Sequence, residues 1–332
     1  MMNAIEGKNI LVTGATGLIG FNLVEKIMQM KPSMVIVTGR NEKKLAVTFE
    51  HYLGLSNFMI LQHDATSPIP TDIGYVDYIF HAAGPMEREI VMNRPVDVIL
   101  PNVVGLISLL DYLKRQEIDS GRKGRLVVFS SVTVYNNIGN DDYDAKEDET
   151  IHAISLDAPS ACYAESKRMV EVIARSYKKQ FDIDVVIARF STVYGPTRNI
   201  PDTAFFEFIR NSIQGKDIMI NNSTIPRRDN IYVDDAVNGL LCVAVQGVSG
   251  DAYNISSGGE KGNYAAIDEI AKMVAVVADN GSTVRYKTEG GIRKGGMTLN
   301  NSKLKQLGWT LQYSMEAGII ATINKMKKII EI

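Results

Sequence analysis

Short apolar runs alternate with amphipathic stretches through the first 190 residues of the chain. The apolar runs predict strands, and the stretches between them predict helices because their apolar residues recur at helical spacing. The predicted strands span residues 10–13, 34–38, 58–62, 76–81, 125–130 and 184–189, and the predicted helices span 19–30, 42–53, 102–115 and 163–181.

Strands that are apolar along their whole length and are separated by helices indicate a parallel sheet covered on both faces. Because such crossovers are right-handed, the order predicts an α/β fold with a doubly wound, Rossmann-type parallel sheet. After residue 190 the pattern is less regular, and Gly195, Pro196 and Pro201 interrupt it. The sequence therefore predicts two units. These are a dinucleotide-binding domain over 1–190, with re-entry of the chain near 231–255, and a smaller C-terminal substrate-binding lobe from 191–230 and 256–332.

Composition narrows the class of protein. The 332 residues include 36 Lys and Arg and 38 Asp and Glu, and a net charge of −2 is unlike that of a nucleic-acid-binding protein. Two cysteines cannot form a disulfide framework, which favours a reducing compartment. The four histidines have no metal-ligand spacing, and we find no signal peptide and no apolar run of about 18 residues. We therefore expect a soluble, cytoplasmic protein with no metal and no membrane or nucleic-acid partner.

Three glycines follow the first predicted strand and lead into the first predicted helix. Gly14, Gly17 and Gly20 leave the turn without side chains, so the backbone can approach a pyrophosphate at the N-terminus of the helix. A plain turn is the alternative for a glycine triplet alone, but this position between a strand and a helix favours a dinucleotide. Residues 14–20, which include Thr16, Leu18 and Ile19, are thus the predicted cofactor turn.

The end of the second strand bears on the choice between NAD and NADP. NAD-binding proteins tend to carry an acid there, whereas this chain has Gly39, Arg40 and Asn41. Arg40 suits the 2′-phosphate of NADP, with stacking on adenine or simple solvation as alternatives. Asp64, after the third strand, suits the adenine amino group or the cap of a helix. The cofactor is therefore predicted as NAD or NADP, and Arg40 favours NADP.

Tyr163 and Lys167 lie one turn apart on a predicted helix and so share a face. A tyrosine with the usual pKa of about 10 is a poor base at neutral pH. A nearby ammonium group and a positive nicotinamide ring would lower that pKa. Lys167 also suits the nicotinamide ribose, and Ser131, directly after a strand, suits the reacting oxygen. These residues predict a hydride-transfer site, with ordinary surface residues as the alternative. Asn102 is either a helper or a polar residue satisfied within its helix.

At these residues the chain resembles the extended short-chain dehydrogenase/reductase family, in particular its nucleotide-sugar epimerases, dehydratases and decarboxylases. The resemblance covers nearly the whole chain and is carried by segments 13–20, 81–84, 130–135, 163–167, 193–196, 228–235 and 307–309. It implies a nucleotide-sugar substrate. It also implies a homodimer formed through two long helices, which here would be those at 98–115 and 163–181.

The resemblance also implies a set of site residues. The catalytic residues would be Ser131, Tyr163 and Lys167, and the substrate-binding residues Thr133, Arg228 and Arg293. Arg228 resembles the arginine that binds the nucleotide diphosphate, since a guanidinium binds two phosphate oxygens at once; an ion pair is the alternative for both arginines. The cofactor would contact Gly14, Thr16, Gly17, Leu18, Ile19, Gly20, Arg40, Asp64, Ala65, Ala82, Ala83, Gly84, Asn102 and Lys167.

Two positions depart from part of this family. Similar sugar dehydratases carry an Asp-Glu pair after the catalytic hydroxyl, and the decarboxylases keep a Glu in the second position. Here the positions are Val132 and Thr133, which cannot transfer a proton near pH 7. The sequence therefore favours an NAD(P)-dependent epimerase over a dehydratase or decarboxylase. The first alternative is a reductase of a nucleotide-linked 4-keto sugar, which Arg40 favours because biosynthetic reductions usually draw on NADPH. A second is a non-catalytic dinucleotide sensor.

Overall fold

A parallel sheet of seven strands lies at the centre of the part of the chain that the structure describes. The structure is a computed structural model, and it describes residues 2–135, 142–149, 154–221, 224–287 and 292–330. The strands are β1 Asn9–Thr13, β2 Met34–Gly39, β3 Phe58–Gln62, β4 Tyr78–His81, β5 Arg125–Ser131, β6 Tyr143–Ala145, β7 Asp184–Phe190, β8 Thr192–Tyr194, β9 Ile218–Ile220, β10 Thr224–Tyr232, β11 Ala252–Ile255, β12 Tyr264–Ala266, β13 Val284–Tyr286 and β14 Ile292–Leu299.

The helices surround this sheet and a smaller second one. They are α1 Met2–Ile5, α2 Leu18–Met28, α3 Glu42–Thr48, α4 Arg88–Asn93, α5 Val96–Ser120, α6 Ala161–Phe181, α7 Ala204–Ile213, α8 Val233–Gln246, α9 Ile267–Ala278, α10 Ser302–Gln306 and α11 Met315–Ile330. Short 3₁₀ turns lie at Glu50–Tyr52, Thr71–Ile73, Val132–Val134 and Glu260–Gly262.

The order of strands in the large sheet is β11-β7-β5-β4-β1-β2-β3, and every neighbouring pair is parallel. The prediction of a doubly wound Rossmann-type sheet is therefore confirmed. From β1 the chain builds one half of the sheet outward through β2 and β3, and it then returns to the other side of β1 to form β4. At this switch point a crevice forms at the carboxyl ends of β1 and β4. The first glycine turn and residues 82–84 lie at these ends.

Successive side chains of each central strand point to opposite faces of the sheet, so a hydrophobic core forms on both sides. Ile10 and Val12 pack into one core and Leu11 into the other, and all three are fully buried. The first core includes α2 and α8, and the second includes α5 and α6. Full burial of one such side chain contributes about 1.5–3 kcal/mol, so strands this apolar form the interior of the sheet.

The second sheet has the order β12-β10-β14-β6, and β8 also pairs with β10. Residues 143–145 of β6 fall within the predicted first domain, yet they pair with β14. In the other direction, β10 runs directly into α8, which packs on β7, β11 and α2. The two sheets thus exchange segments of chain, and the exact domain boundaries stay a prediction.

Some helix bounds differ from those predicted. Helix α5 begins at Val96 rather than at 102, and it contains Pro101, which reads as a helix breaker in the sequence. The predicted helix at 42–53 ends at Thr48, and the 3₁₀ turn Glu50–Tyr52 follows it.

Helix α5 is long and apolar enough to cross a membrane by length and composition, with a mean hydropathy of 1.7 over its most apolar 18 residues. The expectation that no stretch reaches this length is therefore wrong. Leu106, Leu109, Leu110 and Leu113 of this helix are buried in the core beneath the sheet, and core helices of water-soluble proteins pass the same test. Both cysteines are free thiols, and the cytoplasmic location stays a prediction.

Candidate active site

The glycine turn lies where β1 meets the loop after β4. Gly14 has a φ of +63°, and a Cβ there would lie 2.6 Å from the carbonyl carbon and oxygen of Ala82. A Cβ on Gly20 would lie 2.6 Å from the Gly14 oxygen. Gly17, by contrast, is the exposed N-cap of α2, and a Cβ there would meet only the Gly14 oxygen, at 3.4 Å. The turn therefore fits a dinucleotide, because Gly17 leaves the backbone at the N-terminus of α2 open to a pyrophosphate.

The loop 82–84 forms the other wall of this crevice. The Ala83 amide donates to Thr13 Oγ1 over 3.3 Å, which holds the loop against the end of β1. A Cβ on Gly84 would lie 2.7 Å from Asn102 Oδ1, so Asn102 packs directly on the loop. Its Nδ2 donates to Val98 O within α5 over 2.7 Å. This bond matches the alternative of a polar residue satisfied in its helix, while Oδ1 faces the loop.

His81 is a residue whose role sequence reasoning missed. It is buried, and its Nδ1 lies 2.9 Å from Thr13 Oγ1. Thr13 Oγ1 also accepts the Ala83 amide proton, so one hydroxyl contacts both the His81 ring and the loop after β4. Burial, with a smaller effect of the Lys167 charge, lowers the pKa of His81 to about 3. His81 thus joins the ends of β1 and β4 as a neutral group.

A cavity of about 360 Å³ lies beside the expected adenosine end, between α3 and the loop after β8. Asn199 Nδ2 closes one side, donating over 3.1 Å to both Thr16 O in the glycine turn and Thr48 Oγ1. Arg198 donates to Glu50 over 2.8 Å. The sequence did not identify Arg198 and Asn199, since Asn199 and Thr16 are 183 residues apart in the chain. The lining residues are Asn41, Lys43, Lys44, Val47, Thr48, Arg198 and Asn199.

Arg40 and Asp64 have different surroundings. Arg40 is exposed directly after β2, and the next residue, Asn41, lines this cavity. Asp64 Oδ1 accepts from the amide and the hydroxyl of Thr66, both over 2.9 Å, and these bonds lower the pKa of the Asp64 carboxyl. Asp64 thus binds within a turn at residues 64–67, and no helix begins there, so the alternative of a helix cap is not present. Ala65 follows and packs on Gly105 of α5, whose Cβ would lie 2.9 Å from Ala65 O.

Ser131, Tyr163 and Lys167 come together at the carboxyl end of β5. Ser131 is the last residue of β5 and is buried, and Tyr163 and Lys167 lie in the first two turns of α6. Lys167 Nζ donates to Phe129 O over 2.8 Å and lies 5.7 Å from the centre of the Tyr163 ring. The structure thus brings together the three residues that the sequence predicts as catalytic.

Their electrostatics differ from the expectation in one respect. Burial raises the pKa of the Tyr163 phenol, and a hydrogen bond with Ser131 lowers it in part, so the pKa lies above its usual value. Burial also lowers the pKa of Lys167 to about 8. The expected lowering of the Tyr163 pKa by Lys167 is not among these causes, and the Lys167 ammonium group donates to Phe129 O.

Thr133 lies in the 3₁₀ turn that follows Ser131. Its amide donates to Ser131 Oγ over 3.2 Å, and its buried hydroxyl has no hydrogen-bond partner among the described residues. An unpaired buried hydroxyl is costly, which suits a group that waits for a ligand. Val132 offers no proton-transferring group beside it.

The two candidate substrate arginines lie on neighbouring strands. Arg228, on β10, is exposed and makes no ion pair with any residue that the structure describes. The adjacent Arg227 pairs with Glu269 over 2.9 Å and stacks on Tyr264. The ion pair that was the alternative role for Arg228 is therefore made by its neighbour Arg227, and not by Arg228 itself. Arg293 belongs to β14, but its side chain lies outside the described residues.

Metal binding has no visible basis in the described ranges. They contain no group of three or more His, Cys, Asp or Glu residues that is able to hold a metal ion. The sequence-based expectation that no metal takes part stays a prediction.

Known proteins are similar to this chain over most of its length. The model of the NAD dependent epimerase/dehydratase family matches residues 10–256. UDP-glucuronic acid decarboxylase 1 of Xenopus tropicalis is 28% identical over 333 residues, which are 98% of this chain and 74% of that protein.

Two solved structures share the fold at 22% identity. One is dTDP-glucose 4,6-dehydratase of Bacillus anthracis in complex with NAD, with a TM-score of 0.78 and 97% of both chains covered. The other is UDP-glucose 4-epimerase of Thermotoga maritima with UDP-glucose, with a TM-score of 0.79 and 97% and 99% covered.

We expect Gly14→Ala and Gly17→Ala to separate folding from cofactor binding. The Gly14→Ala methyl overlaps backbone atoms at a positive φ, so the variant should lose about 1–3 kcal/mol of stability as well as NAD binding. The Gly17→Ala methyl makes only an ordinary van der Waals contact with the Gly14 oxygen, at 3.4 Å, so this variant should fold normally and lose NAD binding alone. Thermal unfolding and NADH fluorescence measure the two effects. Equal melting temperatures for the two variants would contradict this reading of the turn.

We expect Arg40→Asp to weaken NADP binding by about tenfold or more and to leave NAD binding nearly unchanged, because a charged hydrogen bond contributes about 1.5–3 kcal/mol. Lys179→Asp, an equal change of charge on an exposed residue of α6, is the control. Calorimetric titration with both dinucleotides measures the effect. If Arg40→Asp changes neither affinity, the 2′-phosphate interpretation is wrong.

Proposed function

We propose that this chain, which belongs to the NAD dependent epimerase/dehydratase family, is an NAD(P)-dependent epimerase of nucleotide sugars. The observation that carries the proposal is the surroundings of Ser131 in β5. Tyr163 and Lys167 lie beside it, while the two following positions, Val132 and Thr133, carry no acid. Such a site can exchange a proton and a hydride with a sugar carbon but has no acid–base pair there to remove water.

Each side chain has a part in this reaction. Tyr163 takes the proton of the sugar hydroxyl as the C–H bond of the same carbon breaks, and it returns the proton in the second half-reaction. Ser131 donates a hydrogen bond to the same oxygen and steadies the charge that develops on it. Lys167, with a pKa of about 8, is mostly protonated at neutral pH and is placed to bind the nicotinamide ribose. The nicotinamide ring, when bound, supplies a hydride acceptor and a positive charge that favours the phenolate.

Epimerisation further requires that the ketone expose its other face before the hydride returns. Thr133, with its unpaired hydroxyl, is placed to bind the sugar beside Ser131. Arg228, exposed and without an ion pair in the described part of the chain, is placed to bind the diphosphate. A diphosphate held by a flexible arginine lets the sugar ring rotate while the nucleotide stays bound.

A decarboxylase is the second candidate, and the comparison with relatives favours it. The Xenopus tropicalis protein that matches 98% of this chain is named a UDP-glucuronic acid decarboxylase. Oxidation of a sugar acid two carbons from its carboxylate yields a β-keto acid, which loses CO₂ without a further acid. Thr133 in place of a carboxylate weighs against this candidate only in part. The 4-keto-sugar reductase stays open because of Arg40.

One panel of substrates separates these functions. The wild-type protein is incubated with UDP- and dTDP-linked sugars, including UDP-glucuronic acid and 4-keto sugars, first without added cofactor and then with added NAD or NADPH. The products are identified by NMR. An epimer formed with no net cofactor change supports the proposal, whereas CO₂ release supports the decarboxylase and NAD(P)H consumption with 4-keto sugars supports the reductase.

Tyr163→Phe should lower any of these rates by at least about 100-fold and leave NAD binding intact. No turnover by the wild type would favour a dinucleotide sensor.

A homodimer is the partner that the exposed helix faces support. Val96, Leu100 and Val104 recur at helical spacing on α5, and Met169 and Val172 lie on α6. All five are exposed apolar residues on two helices that pack together on the same side of the sheet. Contiguous exposed apolar surface of this kind marks protein–protein interfaces. We infer that a second copy of the chain covers this α5/α6 face.

We expect the double variant Val104→Glu with Val172→Glu to be monomeric, because it places charges in an apolar interface. Val276→Glu is the control, since Val276 is 77% exposed on α9, away from the α5/α6 face. Sedimentation velocity measures the oligomeric state. A wild type that sediments as a monomer would show that this face has another role.

A further inference from the structure

Arg189 and Glu171 form an ion pair in the interior, next to the candidate catalytic residues. Arg189, on β7, is 1% exposed, and Glu171, on α6, is 3% exposed. Two parallel bonds join them: Nε to Oε1 over 2.8 Å and Nη2 to Oε2 over 2.7 Å. Burial by itself would lower the pKa of the guanidinium, and the bonds to Glu171 and Tyr135 raise it, so Arg189 is charged.

Stability alone does not account for such a pair. The desolvation of two charges offsets most of their attraction, and apolar residues of similar volume often stabilise a protein as well or better. A buried pair with additional, directed hydrogen bonds instead restricts the interior to one arrangement. The partners of those additional bonds therefore indicate what the pair positions.

Both ends of the segment that carries Ser131 and Thr133 bind to this pair. Ser130, directly before Ser131, donates its hydroxyl to Glu171 Oε1 over 2.6 Å. Tyr135, directly after the 3₁₀ turn, accepts from Arg189 Nη1 over 2.6 Å. Its own hydroxyl proton goes to Asn254 Oδ1 on β11, over 2.8 Å.

The helix with Tyr163 and Lys167 binds to the same strand end. Glu171 is one helical turn after Lys167 and shares its face. Lys167 Nζ donates to Phe129 O, and Glu171 accepts from Ser130, so successive turns of α6 bind successive residues of β5. The distance between Ser131 and Tyr163 is thus set by bonds that pass through Glu171.

We propose that the Arg189–Glu171 pair, through Ser130 and Tyr135, is the positioning unit that holds Ser131 beside Tyr163. The four are positioning residues, and the inference rests on the proposed function in that Ser131 and Tyr163 act on one substrate oxygen. Misplacement of a reacting group by about 1 Å costs on the order of 100-fold in rate. Loss of either tie should therefore lower kcat far more than it changes KM.

Ser130→Ala and Tyr135→Phe test this, since each removes one tie and leaves the ion pair intact. We expect each to lower kcat by about 10- to 100-fold with KM and melting temperature close to those of the matched controls. The controls are Ser212→Ala and Tyr253→Phe, a buried serine and a buried tyrosine with hydrogen bonds to the backbone elsewhere. Ser130→Thr, which keeps the hydroxyl, should restore kcat.

A double variant, Arg189→Met with Glu171→Leu, separates folding from positioning, because an apolar pair replaces the ionic one without leaving a buried charge. It should keep its melting temperature and lose kcat. If Ser130→Ala and Tyr135→Phe lose no more kcat than their controls, or lose activity through KM alone, the proposal is wrong.

A titration of Tyr163 tests the same inference without a substrate. Ultraviolet difference titration of each variant against the same variant with Tyr163→Phe isolates the phenol. Because the bond with Ser131 lowers the Tyr163 pKa, loosening of Ser131 should raise it in Ser130→Ala and Tyr135→Phe but not in the controls. If the wild type turns over no sugar, the proposed function fails. In that case an upward shift still supports positioning, and an unchanged pKa overturns it.

Discussion

The close approach of Gly14 to Ala82 is the contact on which the rest of the candidate site depends. It arises because β1 and β4 are neighbours in a sheet whose strands all run in one direction, so their carboxyl ends lie side by side. A side chain at Gly14 would overlap the backbone of Ala82, and any movement of that loop would carry Gly84 away from Asn102. The strand order that produces this contact also places β5, with Ser131, next to β4.

The catalytic end of the crevice is organised around buried positive charge. Lys167 and Arg189 are both more than nine-tenths buried. Lys167 donates to Phe129 O of β5, and Arg189 donates to Glu171 of α6. Among the residues that the structure describes, Glu171 is the one carboxylate that pairs with Arg189, and positions 132 and 133 carry none. A site with fixed cations and hydroxyls stabilises a developing oxyanion, and the absence of an acid after Ser131 limits the proton transfers that can follow.

The smaller sheet is joined to the large one through polar groups rather than through a linker. Asp229, on β10, accepts from Ser257 N over 3.0 Å and from Leu299 N over 3.1 Å, and so connects β10 to the segment after β11 and to β14. Asn254 Nδ2, on β11, donates to Ala145 O and Asn300 O. The strand of Arg228 is therefore attached to the strands that end beside the candidate cofactor crevice, which couples the two ends of the proposed nucleotide-sugar site.

The sequence by itself determined the features that depend on local pattern. The alternation of apolar runs and helices determined the parallel sheet, the glycine spacing identified the tight turn, and the one-turn spacing of Tyr163 and Lys167 placed them on one face.

Tertiary structure alone decided where distant segments meet. Asn199 reaches Thr16 and β6 pairs with β14, although these segments lie far apart in the sequence. The raised pKa of Tyr163 and the Arg189–Glu171 pair belong to this second group. Both result from burial, and burial depends on contacts between residues that the sequence order does not bring together.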